Sequence, residues 1–136
     1  MKSQTESLSR ALELAIEARE RAHAPYSQFR VGAAVKSAVS NEIFVGCNVE
    51  NASYGATICA ERVAIGSMVS RLGRVALEYV VVVTEANPPA CPCGICRQFI
   101  AEFAGPELPI HIATPHGVVR TMSLSELLPY SFRLLE

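Results

Sequence analysis

Cysteines at the starts of two predicted helices constrain this chain more than any other feature of its sequence. The segment TICAERVAIG (57–66) sets Cys59 two positions before Glu61 at the beginning of an apolar helical stretch, and CPCGIC (91–96) crowds three more cysteines at the front of a second one. A carboxylate next to a buried face must be paired, protonated or reached by water, so a helix built only for packing would carry Ala or Leu there. We therefore expect these residues to have a chemical role.

Three of the cysteines are suited to binding zinc. A helix N-terminus stabilises a thiolate through its exposed N–H groups and its dipole, and the thiolate is the form that binds the metal. If the two helices point their N-termini at the same end of a sheet, the sulfurs of Cys59, Cys93 and Cys96 meet there. Three sulfurs leave the fourth tetrahedral position open for water, as a catalytic site requires, and Glu61 would stand beside that water.

The spacing alone leaves a structural zinc site open as an alternative. In such a site Cys47 or Cys91 would close the tetrahedron as a fourth sulfur. The metal would then have no position for water and would serve folding only.

Composition narrows the classes of partner. The chain has 136 residues, 50% of them hydrophobic and 18% charged, with a net charge of −1 and five cysteines. Its lysines and arginines are scattered singly, without the basic stripe that binds a phosphate backbone. Its apolar runs are far shorter than the roughly 20 residues that span a bilayer, and the charged N-terminus does not match a secretory signal. We expect a cytoplasmic protein that binds neither nucleic acid nor membranes, with cysteines used for metal or catalysis and apolar surface buried between subunits.

The hydrophobic pattern predicts one mixed sheet covered by helices. Helices are predicted over 6–23, 59–72, 95–103 and 123–128. Strands are predicted over 29–39, 42–49, 77–85, 109–114 and 117–123. The third strand is apolar on both faces and so belongs in the middle of the sheet. The order αββαβαββα, without repeat or linker, predicts a single domain over residues 1–136 with an α/β fold, a five-stranded α/β/α sandwich. The first hairpin carries Ser40-Asn41 where Asp-Gly is more usual.

At the cysteine and glutamate motifs the sequence resembles the zinc-dependent cytidine deaminases, in their small homotetrameric form. The pairing of C-x-E with P-C-x-x-C is close to the zinc signature of the deaminases. The resemblance continues through five segments that follow the family's order and cover nearly the whole chain: APYSQFRVGAA (24–34), GCNVENASYG (46–55), CAERVA (59–64), PCGICRQFIAEF (92–103) and ELLPYSF (126–132).

The resemblance implies a zinc ion in each subunit, held by Cys59, Cys93 and Cys96. It implies that hydroxide on this zinc attacks the ring carbon bearing the amine, and that Glu61 is the catalytic acid and base. Glu61 would move one proton to the neighbouring ring nitrogen and a second to the departing ammonia. The product of such a reaction on cytidine is uridine.

The resemblance also implies residues that hold the nucleoside. Asn48 and Glu50 match residues that bind the ribose hydroxyls, and Phe29 matches an aromatic ring beside the base. The backbone of Ala60 is expected to form a hydrogen bond with the base. Without the resemblance, Asn48 would be interpreted as a turn former and Glu50 as a charge that faces solvent.

Two further aromatic residues match positions that reach into a neighbouring subunit. These are Tyr54 and Phe132, so each pocket of a homotetramer would need more than one chain. Without the resemblance, Phe132 would be a core or interface ring and Tyr54 a surface ring. His23, His111 and His116 lie in no ligand-like spacing and are interpreted as structural.

Two arginines are candidates for balancing the charge of the metal site. Zn²⁺ with three thiolates has a net charge of −1, so its water should resist ionising more than water on zinc held by neutral ligands. Arg62 follows Glu61 and matches an arginine that donates to a zinc-bound sulfur in the family. Arg97 follows Cys96 and is the second candidate.

We therefore expect a hydrolase that deaminates free cytidine and deoxycytidine in pyrimidine salvage. One alternative is a deaminase of another aminopyrimidine such as blasticidin S, although the segment NVENASYG (48–55) favours a nucleoside. The other alternative is a non-catalytic, zinc-stabilised binding or assembly module. Glu61 and the segment NVEN favour an enzyme over a structural zinc module. In an enzyme of this kind, Cys47 is interpreted as a small core residue and Cys91 as a free thiol in a loop near the site. Deaminases of nucleic acids or nucleotides typically carry H-x-E where this chain has C-A-E.

Overall fold

The computed structural model describes residues 4–135 and confirms the predicted order of elements. The helices are α1 (Gln4–Arg19), α2 (Ala60–Leu72), α3 (Gly94–Ala101) and α4 (Leu124–Leu127), with a single 3-10 turn at Tyr54–Ala56. The strands are β1 (Gly32–Ser37), β2 (Ile43–Cys47), β3 (Leu77–Val83), β4 (Pro109–Thr114) and β5 (Gly117–Ser123).

The five strands form one mixed sheet in the order β2-β1-β3-β4-β5. β1 is antiparallel to both β2 and β3, β3 is parallel to β4, and β4 is antiparallel to β5. β3 lies in the centre and is buried over almost its whole length, as its apolar sequence predicts. Gly32 at the start of β1 pairs with Val83 at the end of β3, and we call this end of the sheet the upper end.

Helices cover both faces of the sheet, so the architecture is the predicted α/β/α sandwich. On one face, α1 packs through small side chains against a core that consists of Ala11, Ala15, Ala34, Tyr79, Val81, Val83 and Ala113. On the other face, α2, α3 and α4 enclose a larger core. Among residues 4–135, the helices are too short or too polar for any of them to cross a bilayer.

Two glycines let helices approach the sheet closely. A Cβ on Gly32 would lie 2.0 Å from the carbonyl oxygen of Ala15 in α1, and a Cβ on Gly46 would lie 2.4 Å from that of Ala60 in α2. No side chain fits at such distances, so glycine is required at both positions. The contact at Gly46 brings the first residues of α2 close to β2.

The first predicted helix and the first predicted strand are shorter than the sequence indicates. α1 ends at Arg19 because its chain tightens into i→i−3 hydrogen bonds over residues 20–22, after which the N–H of His23 donates to the carbonyl oxygen of Asn48. β1 begins at Gly32, whereas the prediction began at residue 29. The amide side chain of Asn48 binds the backbone of Phe29 and Val31.

The hairpin between β1 and β2 forms without an Asp-Gly turn. The ammonium group of Lys36, a nearly buried side chain, donates to the carbonyl oxygens of Ser37 and Ser40 at 3.0 Å each. The hydroxyl groups of the two serines also lie 3.0 Å apart. Side chains therefore stabilise a turn that in other hairpins depends on backbone conformation alone.

Candidate metal centre and its pocket

Three cysteines meet at the N-termini of α2 and α3. Cys59 is the N-cap residue of α2, Cys93 is the N-cap residue of α3, and Cys96 lies in the first turn of α3. Neither N-cap side chain makes a capping hydrogen bond, so both sulfurs remain free to bind a ligand. The three Sγ atoms all lie within 4.8 Å of one another, and those of Cys59 and Cys93 are 3.7 Å apart.

The cluster fits a zinc ion. Two sulfurs that each bind zinc at about 2.3 Å in a tetrahedron lie about 3.8 Å apart, close to the observed spacing. Within residues 4–135, the group able to hold a metal consists of these three cysteines and includes neither Cys47 nor Cys91. The donor set thus has the three sulfurs of an open site and lacks the fourth sulfur of a closed one.

The cluster carries negative charge through Cys59. A hydrogen bond from the thiol of Cys96 and another from Arg62 lower the pKa of Cys59 to about 5. The same hydrogen bond, together with burial, raises the pKa of Cys96. These hydrogen bonds therefore favour the thiolate form of Cys59, which is the form that binds a soft metal ion.

The two arginines expected near the metal have different surroundings. Nη2 of Arg62 lies 3.6 Å from Sγ of Cys59, and its buried Nε has no hydrogen-bond partner within the described part of the chain. The guanidinium group of Arg97 donates instead to two carbonyl oxygens, from Nε to Pro92 at 2.7 Å and from Nη1 to Leu127 at 2.8 Å. Arg62 thus stabilises the negative charge on the sulfurs, whereas Arg97 ties together two segments of backbone.

Glu61 is a buried carboxyl group next to the cluster. It is the second residue of α2, is only 4% exposed, and lines a cavity together with Cys59 and Cys93. Burial, reinforced by the charge on Cys59 and opposed by Arg62, raises the pKa of Glu61 to about 7. A carboxyl group with this pKa can accept and donate a proton at neutral pH.

The cavity beside the cluster has a volume of about 290 Å³. It is lined by these residues expected from the sequence: Phe29, Asn48, Glu50, Cys59, Ala60, Glu61 and Cys93. Over residues 4–135 its lining includes two carboxyl groups but no lysine, arginine or histidine. The cavity therefore disfavours an anion and suits a neutral or cationic molecule with polar groups.

The polar residues at the mouth of the cavity are held by backbone groups. Asn48 accepts from the N–H of Val31 and donates to the carbonyl oxygen of Phe29, each at 2.8 Å, and keeps one N–H free for a ligand. Glu50 accepts from the N–H groups of Tyr26 and Ser27 at 3.0 and 3.1 Å and from the hydroxyl of Ser27. The hydrogen bond from the Ser27 side chain lowers the pKa of Glu50 most, so this carboxylate is ionised.

The two residues expected to act across subunits lie outside this cavity. The side chain of Tyr54 is 77% exposed and that of Phe132 is 68% exposed, and neither lines the cavity in the part of the chain that the structure describes. The ring of Tyr54 meets the ring of Tyr26 edge to face at 6.3 Å.

Sequence reasoning missed part of the cavity wall, which also includes Ser27, Val31, Thr57, Val82, Thr84 and Ala90. Cys91, expected as a free thiol in a loop near the site, lines the cavity as well. The hydroxyl oxygen of Thr84 accepts from the N–H of Ala90 at 3.1 Å and so holds the loop that leads to Cys93. The sequence could have indicated Thr84, because it directly follows the buried strand β3. Residues that follow a central strand lie at the end of the sheet, where ligands bind.

Comparisons with known proteins agree with this geometry. A family model described as the cytidine and deoxycytidylate deaminase zinc-binding region matches residues 5–112. The cytidine deaminase of Sporosarcina psychrophila is 41% identical over 116 residues, which are 85% of this chain and 84% of that protein. That of Halalkalibacterium halodurans is 42% identical over 118 residues, or 87% and 88% of the two chains. The crystal structure of cytidine deaminase from Burkholderia pseudomallei has a TM-score of 0.82 at 43% identity and covers 91% of this chain and 98% of its own.

Proposed function

The chain belongs to the cytidine and deoxycytidylate deaminase zinc-binding family, and we propose that it hydrolyses free cytidine and deoxycytidine to uridine and deoxyuridine. The observation that carries the proposal is the buried Glu61 beside three zinc-suited sulfurs, at the wall of a cavity of about 290 Å³. A cavity of this size is near the lower end of the range for small-molecule pockets.

Each group at the site has a proposed role in this reaction. Zinc held by Cys59, Cys93 and Cys96 would act as a Lewis acid that lowers the pKa of water. Glu61 accepts the proton from the attacking water and passes it to the ring nitrogen beside the carbon that bears the amine. It then takes the remaining proton of the newly added hydroxyl group and transfers it to the amino group, which leaves as ammonia while the ring carbon gains its carbonyl oxygen. Its pKa of about 7 supports both directions of transfer.

Arg62 supports the same chemistry through charge. Its guanidinium group lies against the Cys59 sulfur, where a positive charge offsets the excess negative charge of three thiolates. The N-termini of α2 and α3 contribute further positive potential at the two N-cap sulfurs.

The charges around the cavity favour a nucleoside over a nucleotide. The ionised Glu50 would repel a phosphate, and within residues 4–135 the cavity lining provides no cation to bind one. We assign the ribose hydroxyls to Asn48 and Glu50, the contact with the base to Phe29, and a hydrogen bond with the base to the backbone of Ala60. The free N–H of Asn48 and the fixed carboxylate of Glu50 support this assignment.

We further propose that the chain is one domain that assembles into a cytoplasmic homotetramer serving pyrimidine salvage. The exposed apolar side chains of Tyr54, Ile58, Ile95 and Phe132 support assembly, because exposed apolar groups gain free energy when a second copy covers them. In this assembly Tyr54 and Phe132 complete the pocket of a neighbouring subunit.

The test is ultraviolet spectroscopy of cytidine incubated with the zinc-loaded protein and its variants. The Glu61→Gln variant should retain zinc and lose turnover, whereas Glu107→Gln, which changes an exposed carboxylate far from the cluster in sequence, should match the original chain. Deoxycytidine should react as well, and deoxycytidylate should react far more slowly.

Failure to convert cytidine would contradict the proposal. Turnover of blasticidin S alone would then identify a deaminase of another aminopyrimidine. Zinc binding without turnover of any of these substrates would identify a structural zinc module.

A further inference from the structure

The C-terminal part of the described chain is bound to α3 by side chains. Nη1 of Arg97 donates to the carbonyl oxygen of Leu127 at 2.8 Å, and Nε2 of Gln98 donates to that of Phe132 at 2.8 Å. In the other direction, Nη1 of Arg133 donates to the carbonyl oxygen of Ala101 at 2.6 Å. We call residues 127–135, from the last residue of α4 onward, the terminal segment.

The terminal segment has little structure of its own. After α4 ends at Leu127, residues 128–135 contain neither helix nor strand. Tyr130 is fully exposed and has a positive φ of 55°, a backbone conformation that is unfavourable for a bulky residue. A segment without helix or strand keeps a defined path only where other parts of the chain tie it down. The hydrogen bonds to α3 therefore account for its defined path.

The segment presents an aromatic ring while its backbone is held. The carbonyl oxygen of Phe132 is bound to Gln98, but its ring is 68% exposed and gains little from burial within this chain. A backbone anchor at the residue that carries an exposed ring limits the positions which that ring can reach. This arrangement suits a ring that makes its contact outside its own chain.

Arg97 connects the same segment with the metal-binding loop. Its Nε donates to the carbonyl oxygen of Pro92, the residue directly before Cys93, while its Nη1 reaches Leu127. Gln98, one residue later, makes its hydrogen bond to the terminal segment. Substituting Gln98 should therefore disturb the terminal segment alone, whereas substituting Arg97 should disturb both this segment and the loop before Cys93.

We propose that Arg97 and Gln98 are positioning residues that hold the terminal segment on α3 and thereby set where the ring of Phe132 is presented. Gln98 acts on the segment, and Arg97 acts on both the segment and the loop before Cys93. The proposal rests on the proposed function, in which Phe132 completes the pocket of a neighbouring subunit.

The first test measures the anchor directly, by hydrogen exchange of the backbone amides in residues 128–135. Removing one neutral hydrogen bond should increase opening of the segment about three- to tenfold in Gln98→Ala. Gln4→Ala is the matched control, because it removes the same side chain at an exposed position of α1, on the other face of the sheet. Equal exchange in the original chain and in Gln98→Ala would overturn the proposal.

The second test asks whether the anchor acts through Phe132. Gln98→Ala should raise KM for cytidine about three- to tenfold and change kcat by less than about twofold, because the missing contact affects binding before the chemical step. Gln98→Glu, which keeps the shape and removes the donor, should behave like Gln98→Ala, and Gln98→Lys, which keeps a donor, should restore much of the affinity. The double variant Gln98→Ala/Phe132→Ala should show no larger KM than Phe132→Ala alone.

The outcomes separate this proposal from the proposed function. Additive effects of Gln98→Ala and Phe132→Ala, or a fall in kcat without a rise in KM, would show that Gln98 does not act through Phe132 and would overturn the proposal. If the original chain does not convert cytidine, the proposed function fails, and unchanged exchange in Gln98→Ala would then reject the anchor as well. Arg97→Ala should increase exchange in the segment and also accelerate zinc loss to a chelator, whereas Gln98→Ala should retain zinc like the original chain.

Discussion

Helices α2 and α3 begin in the same way and contribute differently to the metal centre. Each starts with a cysteine N-cap whose side chain makes no capping hydrogen bond, and each has an arginine close to a cluster cysteine in the sequence. The third helical position is Arg62 in α2 but Cys96 in α3. α2 therefore supplies one sulfur, a carboxyl group and a cation, whereas α3 supplies two sulfurs.

Arg62 and Arg97 make different contacts. Arg62 lies three residues after Cys59, so both project from one face of α2, and the guanidinium group reaches the sulfur. Arg97 directly follows Cys96, and neighbouring residues on a helix are rotated by about 100°. Its guanidinium group donates to the carbonyl oxygens of Pro92 and Leu127. Helical spacing alone does not separate the two arginines, because Arg97 lies four residues after Cys93; they differ in the groups that their guanidinium groups contact.

Removing a sulfur from α3 should have the largest effect. Cys96→Ala leaves two cysteines, too few to hold zinc firmly, and kcat/KM for cytidine should fall more than about a thousandfold because activation of water is lost. Zinc content by atomic absorption and turnover by ultraviolet spectroscopy measure the two effects. Cys47→Ala, outside the cluster, should keep both. A Cys96→Ala variant that retains full activity and zinc would exclude Cys96 from the metal centre.

Substituting the two arginines in parallel should give a smaller but more discriminating difference. Arg62→Ala should lower kcat about 10- to 100-fold, the range typical for groups that support metal ligands. Arg97→Ala should lower kcat less and raise KM more, because Arg97 contacts backbone carbonyls and not the sulfurs. Steady-state kinetics at saturating zinc measures both parameters. Equal losses of kcat in Arg62→Ala and Arg97→Ala would contradict the different roles assigned to the two arginines.

Truncating the ring on the terminal segment should have a modest effect. Phe132→Ala should raise KM for cytidine more than it lowers kcat, by roughly two- to tenfold, which is the range expected for one aromatic contact. Kinetics with cytidine measures it, and the zinc content of the variant should be unchanged. An unchanged KM would contradict the role of Phe132 in the pocket of a neighbour.

The smallest effect on function is expected at α4, whose N-cap supports the helix itself. The side chain of Ser123 accepts from the N–H of Glu126, and the carboxylate of Glu126 accepts from the N–H of Ser123. Ser123→Ala should lower the free energy of unfolding by about 1 kcal/mol and leave kcat unchanged. Urea denaturation measures the loss.

The same capping pair should make the effect of Ser123→Ala depend on pH. Hydrogen bonds from Ser123 lower the pKa of Glu126, so the stabilisation is present above the ordinary glutamate pKa and is lost as the pH falls through the lowered one. The difference in stability between the original chain and the variant should therefore shrink in acid. A difference that grows in acid would contradict this account of the cap.

The order of elements and the metal cluster could be predicted from the sequence because both depend on short-range signals. The apolar run of β3 identifies the central strand, and the motifs around Cys59 and Cys93 identify two helix starts at one end of the sheet. Ala60 and Glu61 of the C-x-E motif line the cavity, as their place in the first turn of α2 predicts.

Contacts between distant segments could not be predicted in the same way. Nothing near Asn48 in the sequence indicates that its amide binds the backbone of Phe29 and Val31, nor does the sequence show that Lys36 stabilises the turn at Ser40. The carbonyl partners of Arg97 are backbone groups, and backbone groups leave no trace in the sequence. Their identification requires the folded chain.

The antiparallel pairing of β1 with β3 determines where the molecule can be altered without harm. The cavity lies at the upper end of the sheet, near Gly32 and Val83, so the turn over residues 38–42 lies at the opposite end. A fluorescent label or affinity tag inserted in that turn would remain about one strand length from the metal. A tag attached next to the terminal segment would lie beside the hydrogen bonds that hold this segment on α3. For imaging or immobilising the protein, the internal turn is therefore a safer attachment point than the C-terminal side.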